Sequence, residues 1–157
     1  MLAPDQILGI PEIHEFQRNR FPLLLIDRVA SCQPVERVEA IKNFTYNEWY
    51  FPAHFPDNPN VPGFVQLECL AQAFILTFLT LPGLAGKETA FVELKEAEFK
   101  RKIVPGDQLQ VLAKLESFRR GIASGSAASF VNGEPACRAS LVVAVPDVLN
   151  RYLPHTK

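Results

Sequence analysis

From Phe64 to Leu84 the chain is apolar almost without a break, and Gln66, Glu68 and Gln72 are the polar interruptions of its first half. The stretch opens behind Pro62-Gly63 and stops at Pro82-Gly83. It reads as a helix from Gly63 to about Thr80, roughly 26 Å long. Its apolar residues lie nearly all round, so protein must surround it. A membrane span is the competing reading. A carboxylate in such a span costs about 2.5–3.5 kcal/mol near the bilayer centre, and Pro-Gly ends this run early. The rest of the chain therefore has one main task, which is to wrap this helix.

The flanking segments suit that task. Val29 to Cys32 and Arg37 to Asn43 read as two short strands separated by Pro34. After the helix come strand-like segments over Thr89 to Lys100, Asp107 to Phe118, Ile122 to Val131 and Glu134 to Val145. In Asp107 to Phe118, Leu109, Val111, Ala113 and Leu115 alternate with polar residues, as a half-buried strand requires. Asn132-Gly133 joins the last two segments as a type I′ hairpin turn. The expected order is two strands, one long buried helix, then an antiparallel meander. This is an α+β architecture in which an antiparallel β-sheet and one helix bury each other. Pro4 to Phe16 carries a weaker helical pattern. One domain over 1–157 is expected, with its core at about 19–145, a helical segment at 1–18 and a tail at 146–157.

Composition narrows the partners. The formal net charge of −1 excludes a global field for nucleic acid or an anionic membrane. Cys32, Cys69 and Cys137 are odd in number, widely spaced and without C-x-x-C, which argues against a disulfide framework and against a zinc site. No metal and no cofactor is expected. Met1-Leu-Ala-Pro-Asp-Gln has neither the basic start nor the apolar run of a signal peptide, so a reducing cytoplasmic location is expected.

Chemistry concentrates around the start of the long helix. His54 lies in a loop stiffened by Pro52, Pro56, Pro59 and Pro62. Alone, a loop histidine is usually just a polar surface residue. Glu68 is harder to set aside, because a carboxylate on an apolar helix must be paired, protonated or turned to a cavity. Gln72 stands one turn further on the same face and reads as a supporting hydrogen-bonder. Gly63 leaves the first helical N–H groups unobstructed, a site for developing negative charge. Together these groups suit abstraction of a proton beside a thioester carbonyl. Histidine is the base, the Gly63 N–H stabilises the enolate-like oxygen, and a carboxyl with a raised pKa expels hydroxide from the β-carbon.

The stretch Ala53-His-Phe-Pro-Asp-Asn-Pro-Asn-Val-Pro-Gly63-Phe-Val-Gln-Leu-Glu68-Cys-Leu-Ala-Gln72 resembles the signature G-H-F-P-x-x-P-[VI]-M-P-G-x-[LI]-x-[LI]-E-[AG]-[LM]-A-Q of the (3R)-hydroxyacyl-[acyl-carrier-protein] dehydratases of type II fatty acid synthesis. Asn19-Arg-Phe-Pro-Leu-Leu-Leu-Ile-Asp-Arg-Val is similar to the family's H-R-Y-P-F-L-L-V-D-R-V, and Phe99-Lys-Arg-Lys-Ile-Val-Pro-Gly-Asp-Gln-Leu to its F-x-[RK]-x-V-x-P-G-D-x-L. The resemblance implies a hotdog fold and a homodimer, often assembled as a trimer of dimers. It implies that His54 of one subunit faces Glu68 of the other, and that the Gly63 N–H holds the thioester carbonyl. A glutamate in the helix is the mark of the branch that only dehydrates. Asn19 for histidine, Ala53 for glycine, Val61 for methionine, Asp57-Asn58 for Gly-x, and Asn60 for an apolar residue are departures from the pattern, and none removes a catalytic group.

The implied partner is acyl carrier protein bearing a phosphopantetheine-linked 3-hydroxyacyl chain. Carrier proteins are acidic, so docking falls to local basic clusters, Lys100-Arg101-Lys102 and Arg119-Arg120, although such residues are as often merely solvated. The meander places the two clusters at opposite ends of one strand. The alternatives are another hotdog thioester enzyme, a thioesterase or enoyl-coenzyme A hydratase, and a non-catalytic acyl-binding hotdog subunit. Turnover of a 3-hydroxyacyl thioester separates them.

Overall fold

A computed structural model describes residues 5–152. The apolar run forms the helix α2 (Gly63–Leu79), and every residue from Cys69 to Leu79 is buried. Six strands surround it: β1 (Arg28–Gln33), β2 (Arg37–Asn43), β3 (Ala90–Phe99), β4 (Gln108–Arg119), β5 (Ile122–Val131) and β6 (Glu134–Ala144). They form one antiparallel sheet in the order β1-β2-β4-β5-β6-β3. α2 packs against β2, β4, β5 and β6, as expected of a sheet built around one helix.

Contact between helix and sheet is tightest at Gly125. A Cβ there would overlap the Phe74 ring and the Lys114 carbonyl, so only glycine lets β5 approach α2 this closely. Phe74 meets Phe78 edge-on at 5.8 Å, and Phe78 stacks on Phe118 at 5.3 Å. Each large side chain buried here contributes about 1.5–3 kcal/mol by leaving water. Asn132-Gly133 forms its two-residue turn with φ of 52° and 80°, as the sequence predicts, and Arg120-Gly121 forms another with φ of 51° and 83°.

Three expectations need correction. The segment after α2 is not part of a continuous meander. β3 pairs with β6, while β4 leaves the Lys100–Asp107 connection and returns beside β2. That connection crosses the start of α2, where Val61 N–H donates to the Ile103 carbonyl at 2.8 Å, and this displaces β3 to the far edge. The alternation of β4 holds from Leu109 to Ala113 and slips at a bulge between Leu115 and Ser117, so Leu115 is only half-buried. The N-terminal helix is shorter than its pattern: α1 (Ile10–Phe16) begins after Gly9, because Leu8 exchanges two backbone hydrogen bonds with Val29 and joins the sheet instead. Pro4 lies outside the described residues. Within the tail, Pro146–Leu149 forms a short helix, α3, followed by a turn over Asn150–Tyr152. No helix of the described residues is long and apolar enough to cross a membrane.

Candidate active site

The loop between β2 and α2 carries His54, and it is pinned at both ends. At its start Lys42, 8% exposed in its side chain, pairs with Glu48 at 2.7 Å and lies 3.8 Å from Asp27. Tyr50 and Phe51 are buried beneath the loop. Its far end is held by the bond from Val61 to Ile103. Between these anchors His54 is half-buried, its ring stacked on Phe55. Two bonds tie it to Asn60. The Asn60 N–H donates to the His54 carbonyl at 2.9 Å, and His54 Nδ1 lies 3.0 Å from the Asn60 carbonyl. A carbonyl can only accept, so the proton sits on Nδ1 and the lone pair on Nε2. Both bonds use the backbone of residue 60, which explains how asparagine is tolerated there.

Glu68 sits on the one side of α2 that the sheet leaves open, with Phe64 and Leu67 nearby. Burial pushes its pKa up, against the opposing effect of hydrogen bonds from Gln72 and Asn19. Gln72 Nε2 donates to Glu68 Oε1 at 2.8 Å and to the Leu23 carbonyl at 2.6 Å. Gln72 Oε1 accepts from the N–H groups of Leu25 at 2.9 Å and Ile26 at 3.4 Å. One amide thus stitches the helix to the Leu23–Ile26 segment. Beyond Glu68 a groove of about 460 Å³ runs along the helix, with an apolar side formed by Ala71, Ile75, Leu79, Phe91 and Val143. Arg18, Lys87 and Glu88 also line it.

Gly63 begins the helix. Val65 and Gln66 N–H groups already reach the Pro62 carbonyl, and among the described residues the N–H groups of Gly63 and Phe64 have no acceptor. Phe99 roofs this point: a Cβ at Gly63 would lie 3.1 Å from its ring. The structure thus brings Glu68 and Gln72 together and places Gly63 one and a half turns before Glu68. It does not bring His54 to them within one chain, since His54 lines neither cavity beside Glu68. Lys100-Arg101-Lys102 directly follows Phe99. Lys100 pairs with Glu98, Arg101 with Glu134 at 2.8 Å, and Lys102 is exposed. Arg119 and Arg120 lie at the opposite end of the sheet, as expected from the order of the strands, and Arg120 stands 5.9 Å over the Tyr152 ring. The three thiols are buried and free; burial pushes each up, that of Cys137 to about 11, so Cys69 is a small core residue. Among the described residues no cluster of three or more His, Cys, Asp or Glu side chains could hold a metal ion.

Sequence reasoning did not single out Phe99, Arg18 or the bond from Asn19 to Glu68. Asn19 and Glu68 are 49 residues apart, and no local pattern announces their contact. The one signal was that Asn19 stands inside a motif at a position where the pattern has another residue.

A family model for the FabA-like domain matches residues 18–140. The chain belongs to the FabA-like family. Within it, the chain is 43% identical over 141 residues to the 3-hydroxyacyl-[acyl-carrier-protein] dehydratase FabZ of Chloroflexus aggregans, covering 90% of this chain and 98% of that one. It is 42% identical over 140 residues to the FabZ dehydratase of Haemophilus influenzae, covering 88% and 95%. Among solved structures, the dehydratase heterocomplex ApeI:P of Xenorhabdus doucetiae superposes with a TM-score of 0.75 at 14% identity, over 89% of this chain and 95% of that one. The last likeness concerns the fold alone and agrees with the hotdog fold expected for a FabA-like chain.

Proposed function

We propose that this chain dehydrates (3R)-hydroxyacyl chains carried on acyl carrier protein, giving the trans-2-enoyl thioester and water. The observation that carries the reading is the Glu68 carboxyl. Its pKa is raised by burial, one of its oxygens is held by amides, and it opens onto a partly apolar groove beside a helix start with free N–H groups. In the reaction His54 Nε2 takes the proton from the α-carbon. The carbonyl oxygen gathers charge and is stabilised by the Gly63 N–H, a contribution typically of about 2.7–4 kcal/mol. The bond from the β-carbon to oxygen breaks, and Glu68 gives its proton to the leaving hydroxyl, which departs as water. The apolar side of the groove, Ala71, Ile75, Leu79, Phe91 and Val143, takes the acyl chain, and the reaction requires no cofactor.

His54 and Glu68 act across a homodimer, which a trimer of dimers would preserve. This accounts for a base that does not line the cavities beside its own chain's acid, and for the exposed apolar residues Phe91, Val92 and Leu94 on β3. The buried, unpaired thiols fit a cytoplasmic enzyme. The carrier docks at the Lys100–Lys102 end, next to the Gly63 N–H that receives the thioester, with Lys102 free to meet its acidic surface. Arg119 and Arg120, at the other end, have the weaker claim.

The test is turnover of carrier-bound 3-hydroxyacyl substrates of several lengths, followed by loss of the hydroxyacyl species and by free thiol. Enoyl product without thiol release is expected. Thiol release would make the chain a thioesterase, faster turnover of coenzyme A substrates would make it a hydratase, and no turnover would leave an acyl-binding subunit. Lys102→Glu should raise KM for the carrier-bound substrate far more than for a short thioester, whereas reversal of Arg119 and Arg120 should do less.

A further inference from the structure

Two amide donors converge on the same oxygen of Glu68. Gln72 Nε2 is 2.8 Å from Oε1 and Asn19 Nδ2 is 3.2 Å from it, while Oε2 has no hydrogen-bond partner among the described residues. The Gln72 amide cannot turn over, because its oxygen already faces the N–H groups of Leu25 and Ile26. Reversed, its NH₂ would point at two donors. Its donor role toward Oε1 is therefore fixed by the fold, and an oxygen that already accepts from two donors is the poorer place for the proton.

Asn19 is held for the same purpose from the other side. The Arg20 guanidinium gathers three carbonyls, those of Gln17 at 2.8 Å, Asn19 at 2.8 Å and His14 at 3.0 Å. It locks the chain at residue 19, where the side chain reaches the carboxyl. We infer that Asn19 is a positioning residue, which with Gln72 saturates Glu68 Oε1 and leaves Oε2 as the atom that presents the acid proton to the groove. This rests on the reading of Glu68 as the acid. An amide neither gains nor loses a proton in the working range, so the arrangement holds whatever the protonation of Glu68. The charged groups that face Glu68 are spoken for: Arg18 pairs with Glu88 at 3.2 Å, Lys87 with Asp147 at 2.8 Å, and Glu93 on β3 with Lys95 at 3.0 Å.

The experiment combines kinetics with direct titration of the Glu68 carboxyl by ¹³C NMR, its resonance assigned by its absence from Glu68→Gln. Asn19→Leu is close in size and has no donor. It should lower kcat by about tenfold, the scale of one hydrogen bond, with KM little changed. A donor to a carboxylate favours the charged form, so its loss should move the Glu68 titration, and with it the alkaline limb of kcat/KM, to higher pH. Asn19→Asp, which puts an acceptor where the donor was, should lower kcat further. Asn19→His keeps a donor and should recover most of the activity. An Asn19→Leu protein with unchanged kcat and an unmoved Glu68 titration would overturn the assignment. So would a fall in kcat accompanied by a lower Tm, an unmoved titration and no recovery in Asn19→His, which is the behaviour of a merely structural residue. The NMR arm decides the contact even if the wild-type protein turned over nothing, an outcome that would sink the dehydratase reading alone.

Discussion

The two edges of the sheet have opposite characters. At the β1 edge the chain finishes its own sheet. Leu8 exchanges two bonds with Val29, Asp5 N–H reaches the Cys32 carbonyl, and the Asp5 carboxylate accepts from Ser31 and Gln33. At the β3 edge none of the described residues pairs with the outer side of the strand. Nine of the ten residues of β3 are exposed, Phe91 and Val92 by more than half, and Phe64 beside them is 60% exposed. An open apolar edge is a hazard unless something pairs with it. Glu68 and its groove lie at this unfinished edge, with Phe91 lining the groove itself. The contrast supports the proposed dimer, because a second copy of the chain that covered β3 would also be placed to bring its His54 to the groove.

The largest effects should come from breaking the shared site. His54→Ala and Glu68→Gln should each lower kcat/KM by about 10²–10⁴-fold while leaving the fold intact. Mixed after subunit exchange, the two inactive proteins should regain activity, because a mixed dimer holds one intact His54–Glu68 pair. Absence of recovery, with exchange verified by differently tagged chains, would put both groups in one chain and undo the comparison.

Next in size is a charge on the open edge. Val92→Lys should shift the protein toward monomer in analytical ultracentrifugation and remove most activity, without replacing either proposed reacting group. Asp5→Ala, at the finished edge, loses two exposed side-chain bonds and should leave both assembly and kcat/KM unchanged. Equal effects of the two substitutions would show that the edges do not differ in the way proposed.

These differences trace to what a single sequence can display. The helix and Glu68 were legible because an apolar run with one carboxylate has few physical solutions. The β5–β6 hairpin was legible because Asn132-Gly133 favours φ above zero. The place of β3 was not, since its pairing with β6 is decided by how residues 100–107 cross the start of α2, a path that leaves no periodic trace. The Asn19 contact was hidden for a similar reason. The shortened α1 had a local sign in Gly9, which was outweighed by the apolar spacing around it. The two ion-pair partners of Lys42, Asp27 and Glu48, come from different segments, and only the fold assembles them.

A smaller effect should appear in stability against pH. The folded-state pKa of Glu68 is raised, so the folded chain holds this proton more tightly than the unfolded chain does. The associated stability is full below the ordinary carboxylate value of 4.5 and is lost as pH rises through the raised value. Glu68→Gln keeps an oxygen for Gln72 and Asn19 to bond and cannot ionise. Its Tm should match the wild type in acid and exceed it increasingly toward neutral pH. A constant difference at all pH values would mean that the carboxyl is not buried at the open edge as described.

The smallest effect tests the finished edge. Val35, in the turn between β1 and β2, has φ of 64°, a left-handed conformation that a β-branched side chain adopts at a cost of about 1–2 kcal/mol. The strain is sustained because the Val35 N–H donates to the Thr77 carbonyl at 2.9 Å, tying the turn to α2. Its side chain is 50% exposed, so little packing is lost on replacement. Val35→Asn keeps the N–H and relaxes the backbone, since a short polar side chain tolerates this region. A gain of about 1 kcal/mol is expected, seen as a rise in Tm of about 2–4 °C. Because this edge carries neither the site nor the proposed subunit contact, oligomeric state and kcat/KM should not move. A change in either would show that the β1–β2 turn communicates with the open edge, and the two edges could then no longer be treated as independent.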